Sequence, residues 1–231
     1  MKWVKRGSTE SRKRQVLKSK DSPRGQGFPR EPASEKGMYM KKDDLILVTI
    51  EDLSNEGLGI GRSGETAFFI KDTVIGDTVE AQIMKMKKTY GYARLVRLLS
   101  PSKDRVTPPC PVARQCGGCQ LQAMSYEAQL RFKENKVKNA LMRIGGFQNP
   151  PMESILGMEH PFRYRNKAQY PVGRNKEGRI TAGFYAGRTH DIIENRDCLL
   201  GPEINRKILD IVLFHMEMYD IEPYDEKSCS G

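Results

Sequence analysis

The sequence is short of long apolar runs. No stretch of its 231 residues approaches the roughly 20 apolar residues that a helix needs to cross a bilayer. The basic N-terminus lacks the apolar core of a secretory signal. Together these absences point to a cytoplasmic protein with no membrane partner. Histidine is scarce, at three residues, and tryptophan occurs once. Cysteine occurs five times, and an odd count argues against a disulfide framework, as does a reducing compartment. Hydrophobic residues make up 38% and charged residues 29%. That permits a packed core under a very polar surface, in one large domain or two small ones.

The formal charge of +10 is unevenly distributed. Residues 1–38 hold 11 Lys and Arg against 4 Asp and Glu, a net of +7, and the remaining 193 residues carry only +3. Residues 1–40 form a Ser-, Gly-, Pro- and Lys/Arg-rich tail with scarcely any apolar periodicity. Such composition cannot bury enough surface to offset chain entropy, so disorder is expected. A flexible cationic arm suits phosphate backbones through counterion release. It equally suits a solubilising extension, and composition does not separate the two.

Residues 41–101 read differently. Short β-branched and aromatic runs predict strands at Leu45–Glu51, Gly57–Arg62, Thr66–Ile70, Asp77–Lys87 and Tyr92–Leu99, with turns at Asn55–Gly57, Ser63–Gly64 and Gly76–Asp77. Five short strands in about sixty residues suggest a small closed β-barrel. Within it Gly59–Gly64 spells G-x-G-x-x-G, but the next residues, ETAFFI, read as a strand. The dinucleotide fingerprint requires a helix there, so these glycines are taken as turn and bulge residues.

A proline-bearing linker then leads into residues 102–231. Ser125 is placed to cap a helix in which Tyr126, Leu130, Lys133, Val137, Leu141 and Ile144 recur at three- to four-residue spacing, ended by Gly145-Gly146. A hairpin is expected around Asn175–Gly178, with Ala168, Tyr170 and Val172 on one face and Ile180, Ala182 and Phe184 opposite. A strand follows in THDIIEN. A last helix should start at Gly201-Pro202, with Ile204, Ile208, Ile211, Val212, His215 and Met218 on its apolar side.

The strongest chemical signal is CPVARQCGGCQ. It sets Cys110, Cys116 and Cys119 in a C-x5-C-x2-C array, with 78 residues between Cys119 and Cys198. Three thiols within ten residues, flanked by Pro and Gly, are hard to explain by packing alone. Three local thiolates need a fourth ligand to complete a four-cysteine iron–sulfur cluster or a zinc site. Cys198, Cys229 and the three histidines are the candidates. One ligand pair, one outlier and one remote partner favour [4Fe–4S] over zinc, which usually arrives as two short pairs. A thioredoxin-like redox pair would sit at the start of a helix after a strand, and this one follows a proline-rich linker. His160 lies in a proline-flanked turn, His190 precedes a strand and His215 lies on a helix, and none needs a metal to explain it.

The barrel, then CPVARQCGGCQLQAMSYEAQLRFKENKV, YRNKAQYPVG and GFYAGRTHDIIENRDCLLGPEIN, in that order, resemble the RNA uracil-5-methyltransferase family, and most closely its 23S ribosomal RNA type. The likeness runs from about Asp43 to about Tyr224. It implies a mainly β chain with an α+β part: a TRAM/OB-like RNA-binding barrel at 41–101, followed by an iron–sulfur central domain at 102–231. It also implies that Cys110, Cys116, Cys119 and Cys198 ligate a [4Fe–4S] cluster, that Cys229 is incidental, and that Arg165, Asn166 and Lys167 face ribosomal RNA. S-adenosylmethionine is the methyl donor of the family, and a monomer is expected.

In that family a cysteine thiolate adds to uracil C6, the methyl group passes to C5, and a base removes the C5 proton. The nucleophile, base and methyl-donor pocket lie in a C-terminal Rossmann-like domain. No matching strand, Gly-rich turn and helix are seen in this chain, so the expectation is of a truncated portion with no catalytic or methyl-donor-binding residue of its own, unable to methylate alone. The alternative is a stand-alone RNA-binding iron–sulfur or zinc module. A radical S-adenosylmethionine enzyme would use C-x3-C-x2-C, with one iron left open, and the first gap here is five.

Overall fold

Alternation of buried and exposed residues along β1 (Leu45–Leu53) sets the architecture. Ile46, Val48 and Ile50 point inward, while Leu45, Leu47 and Thr49 point out, as the two-residue period of a strand requires. β1 pairs with β2 (Gly59–Ser63) and with β4 (Thr78–Met86), β2 pairs with β3 (Thr66–Ile70), and β5 (Tyr90–Ser100) joins β4 to β3. The result is a closed barrel in the order β1-β2-β3-β5-β4, with β3 and β5 parallel. The computed structural model describes residues 40–225 and 228–231. The expected disordered arm therefore lies, but for Met40, outside the described residues. All five expected strands are present, Thr66–Ile70 with the expected ends and the others with ends shifted by at most two residues.

The barrel interior holds Ile46, Val48, Ile50, Phe68, Ile70, Val79, Ala81, Ile83 and Ala93. Two glycines make the close fit possible. A Cβ at Gly61 would collide with the Thr49 carbonyl across the β1–β2 pair, and one at Gly91 would run into the Phe68 ring. Gly59–Gly64 is β2 and its turn into β3, with no helix behind it, so the strand reading of the G-x-G-x-x-G stretch is the observed one.

A second cluster, Leu53, Val74, Met124 and Ala128, packs the barrel against the start of α1 (Tyr126–Arg143). Ser125 caps that helix, its hydroxyl accepting the Ala128 N–H at 3.3 Å. Only Ala128 is buried along α1; Val137 and Ile144 are 52% and 88% exposed. The expected apolar stripe therefore contacts the barrel through its first turns alone.

The third cluster joins a three-stranded sheet to the last helix. The sheet order is β6 (Val172–Arg174), β7 (Ile180–Tyr185), β8 (Ile192–Glu194). Gly178, at φ +78°, lies in the β6–β7 turn, where Asn175 Oδ1 accepts the Glu177 and Arg179 N–H groups. β6 is shorter than expected: residues 164–171 belong to no strand. Helix α2 (Ile204–Met218) begins two residues after Pro202 and not upon it. It buries Leu209 and Leu213 against Ile180 and Ala182. This corrects the expected apolar side, since Ile204, Ile208, Ile211, Val212 and Met218 are exposed. The helix is apolar over more than one face, and the narrow sheet covers only the Leu209–Leu213 seam. No helix among the described residues is long and apolar enough to cross a membrane.

Candidate cysteine site

The local chain around the first three cysteines is a series of tight turns. The Cys116 N–H donates to the Val112 carbonyl at 2.8 Å, and the Gly117 N–H to the Tyr185 carbonyl at 2.9 Å. Cys116 forms an isolated bridge with Ala186, just beyond β7. A side chain at Gly117 would press on the backbone of Tyr185 and Gly187, which explains the glycine at that position. The turn is thus laid on the end of the three-stranded sheet, and β8 leaves that sheet toward Cys198.

Cys198 is held by its carbonyl. Arg163 Nη1 donates to Asp197 Oδ1 at 2.7 Å, to the Cys198 carbonyl at 3.0 Å and to the Gly201 carbonyl at 3.1 Å. The Arg163 guanidinium keeps the Asp197 carboxyl below its ordinary range, chiefly through that hydrogen bond. The backbone N–H groups of Arg163 and Arg165 donate to Leu199 and Leu200 at 2.8 and 2.7 Å. Residues 163–165 and 198–201 therefore form one braced segment.

The two segments meet around one small cavity of about 20 Å³, lined by Cys110, Cys116, Cys119 and Cys198 together with Gln122, Arg165, Phe184 and Asn195. Cys110 and Cys116 are buried, Cys119 and Cys198 half-buried, and all are free thiols. Cys229 is exposed and does not line the cavity. The Gly118 N–H lies 3.3 Å from Cys116 Sγ, and Asn195 Nδ2 lies 4.0 Å from Cys110 Sγ. Burial raises the Cys110 thiol above its ordinary range, and the nearby Cys116 and Cys198 add to the rise. Burial likewise raises Cys119, with Cys116, Cys198 and Cys110 adding to it and the Gln122 side chain opposing. A soft metal group would bind these sulfurs as thiolates, so loading would release protons to solvent and weaken as pH falls. Among the described residues, no group of three or more His, Cys, Asp or Glu side chains is arranged to hold a single metal ion.

Arg165 lies on the border between this cavity and a larger groove of about 540 Å³ lined by Tyr126, Lys133, Phe162, Tyr164, Cys119 and Gln122 among others. Asn166 and Lys167 are exposed and line neither. Sequence reasoning did not single out Gln122, Asn195 or Arg163. Each is an ordinary polar residue in its local window, and only the tertiary approach of 110–122 to 195–200 gives it a role.

Residues 44–96, the barrel strands, match the TRAM domain family. That match is to the barrel alone. Over most of its length the chain is also similar to proteins named as RNA methyltransferases. An uncharacterized RNA methyltransferase of Clostridium tetani is 41% identical over 197 residues, which is 85% of this chain and 42% of that protein. Those of Halalkalibacterium halodurans and Listeria monocytogenes are 43% and 44% identical over 192 residues, 83% of this chain and 42% of each. The chain thus spans less than half the length of these relatives. The crystal structure of Pyrococcus abyssi tRNA (uracil-54, C5)-methyltransferase in complex with S-adenosyl-L-homocysteine aligns with a TM-score of 0.57 at 23% identity. That alignment covers 80% of this chain and 40% of that one, and the likeness is one of fold.

Proposed function

We propose that this chain is the RNA-recognising, iron–sulfur portion of an S-adenosylmethionine-dependent methyltransferase acting on C5 of uracil in 23S ribosomal RNA. Residues 41–101 are the RNA-binding TRAM barrel and residues 102–231 the cysteine-bearing domain. The observation that carries the reading is the meeting of Cys110, Cys116, Cys119 and Cys198 around one cavity, in a chain about 40% identical to RNA methyltransferases.

The donor set fits a [4Fe–4S] cluster: four sulfurs, with N–H groups at Cys116 and Cys110 that can offset thiolate charge. The one-pair, one-outlier, one-remote spacing supports iron over zinc. When bound, the cluster would supply a rigid tie between two distant parts of the chain. The protein's own residues do the rest. The Cys116–Ala186 bridge and the Arg163 brace orient the two halves of the site. Burial of Cys110 and Cys116 keeps water from their sulfurs. Arg165, Asn166 and Lys167 are assigned to RNA contact, with Arg165 at the mouth of the groove beside the cavity. With the four cavity cysteines given to the cluster, methyl transfer is not assigned to any residue described here.

Metal analysis of anaerobically purified chain tests the reading, together with filter binding to 23S ribosomal RNA fragments. The expected result is about four irons and matching sulfide per chain, a brown colour, and RNA binding that weakens steeply with salt. Zinc at one per chain, with no iron, would replace the cluster by a zinc site.

A further inference from the structure

The outer face of the TRAM barrel carries an arrangement separate from the cysteine cavity. Strand register lines up two rows of side chains across four strands. In one row Arg62 on β2 is paired with Ala67 on β3, and Ala67 with Tyr90 on β5. The Lys87 N–H donates to the Tyr90 carbonyl at 2.8 Å, which brings the end of β4 alongside. In the next row Ile60 is paired with Phe69, Phe69 with Tyr92, and Tyr92 with Lys85. The intervening residues Gly61, Phe68, Gly91 and Ala93 are buried, so strand alternation turns both rows outward.

Phe69, Tyr90 and Tyr92 touch one another pairwise, with ring centroids 5.5, 5.6 and 5.6 Å apart. Two of the three contacts are edge-to-face. The rings remain partly exposed. The patch is bounded on one side by Arg62 and on the other by Lys85, Lys87 and Lys88, all exposed. This placement is not a by-product of a basic barrel. Residues 44–100 hold seven Lys and Arg against eight Asp and Glu, and four of those seven cations flank the three rings. The Tyr92 hydroxyl is held above its ordinary range, first by its hydrogen bond with Tyr90 and then by Tyr90's charge, burial and Glu56; Arg188 acts in the opposite sense. The Tyr92 ring therefore stays neutral at physiological pH and sets no charge against a phosphate.

We infer that Phe69, Tyr90 and Tyr92 form a stacking platform for unpaired bases of an RNA strand whose phosphates run along Arg62 and Lys85, Lys87 and Lys88. The inference rests on the RNA-binding reading and adds which strand type is taken and where. Every base has a π-face, so rings of this kind hold bases with little regard to sequence, while flanking cations hold the backbone. Bases inside a duplex are already stacked on each other and offer no face to the platform, which selects unpaired segments.

Fluorescence anisotropy of the full chain with two labelled RNAs tests this: a single strand of about a dozen nucleotides and a hairpin duplex of equal charge. Tyr90→Leu/Tyr92→Leu keeps apolar bulk on the sheet and removes both π-faces. It should weaken single-strand binding about tenfold or more and leave duplex binding within about twofold. Tyr92→Phe should bind like the parent. Lys85→Ala/Lys87→Ala should flatten the dependence of log K on log salt by about 1.4 for the single strand. Parent-like single-strand affinity in the Leu pair, or equal loss for both RNAs, overturns the platform while leaving RNA binding intact. Should the Leu pair fail to melt cooperatively, the two exposed lysines decide, and an unchanged salt slope overturns it. If the parent chain binds neither RNA, the RNA-binding reading fails together with the platform.

Discussion

Replacing Asp77 by alanine is expected to lower the unfolding free energy by about 3–5 kcal/mol, the loss typical of breaking a buried, hydrogen-bonded charge pair from one side. Asp77 is fully buried at the turn into β4. Its carboxylate accepts the Val74 N–H at 2.6 Å and the Ser102 N–H at 2.9 Å. It also accepts Arg105 Nε at 3.0 and 3.1 Å and Nη2 at 2.5 Å. Arg105 Nη2 reaches the Asp72 carbonyl as well, at 2.9 Å. One side chain thus closes a barrel turn, catches the end of β5 and anchors the linker to the cysteine-bearing part. Alanine would strand two backbone donors and a guanidinium whose side chain is only 18% exposed. Asn keeps the shape and loses the charge, so a smaller loss of about 1–3 kcal/mol is expected. Urea denaturation followed by circular dichroism measures both. In the Asp77→Ala/Arg105→Ala pair the losses should fall well short of additive, because the two residues share one interaction. A loss below about 1 kcal/mol for Asp77→Ala would show that this anchor matters far less than its geometry implies.

The second large effect concerns Cys198. Cys198→Ala removes the remote sulfur of the proposed cluster, and most bound iron and the brown colour should go with it. The barrel should still fold, because its core residues make no use of the cysteine cavity. The sheet and α2 should lose cooperative melting relative to the iron-loaded parent, since the tie between residues 110–119 and residue 198 is gone. Cys229→Ala is the control, and full iron is expected there because Cys229 lies outside the cavity. Undiminished iron in Cys198→Ala would remove that residue from the ligand set.

The barrel was legible in the sequence because its strands obey a local rule. Alternation in DLILVTI and TVEAQIM marks buried and exposed positions without any knowledge of partners. The Ser125 cap was legible for the same reason, since a cap is satisfied within three residues. The apolar side of α2 was not. Its sequence offers Ile, Leu, Val, Phe and Met around much of its circumference, and periodicity cannot say which stripe meets the sheet. The contact with Ile180 and Ala182 chose Leu209 and Leu213. Asp77 looked like the first residue of a strand after a glycine turn, and nothing local pointed 28 residues ahead to Arg105.

What the chain alone determined was the set of elements and the chemistry available to them: five barrel strands, two helices, and three clustered thiols at a spacing that packing does not explain. Those follow from interactions between residues close in sequence, which leave periodic traces. Which thiols face one cavity, which carboxylate receives which arginine, and which three rings meet on the barrel's outer face were decided only by folding. Each depends on segments separated by tens of residues, and their approach is fixed by sheet register and core packing, not by any local preference.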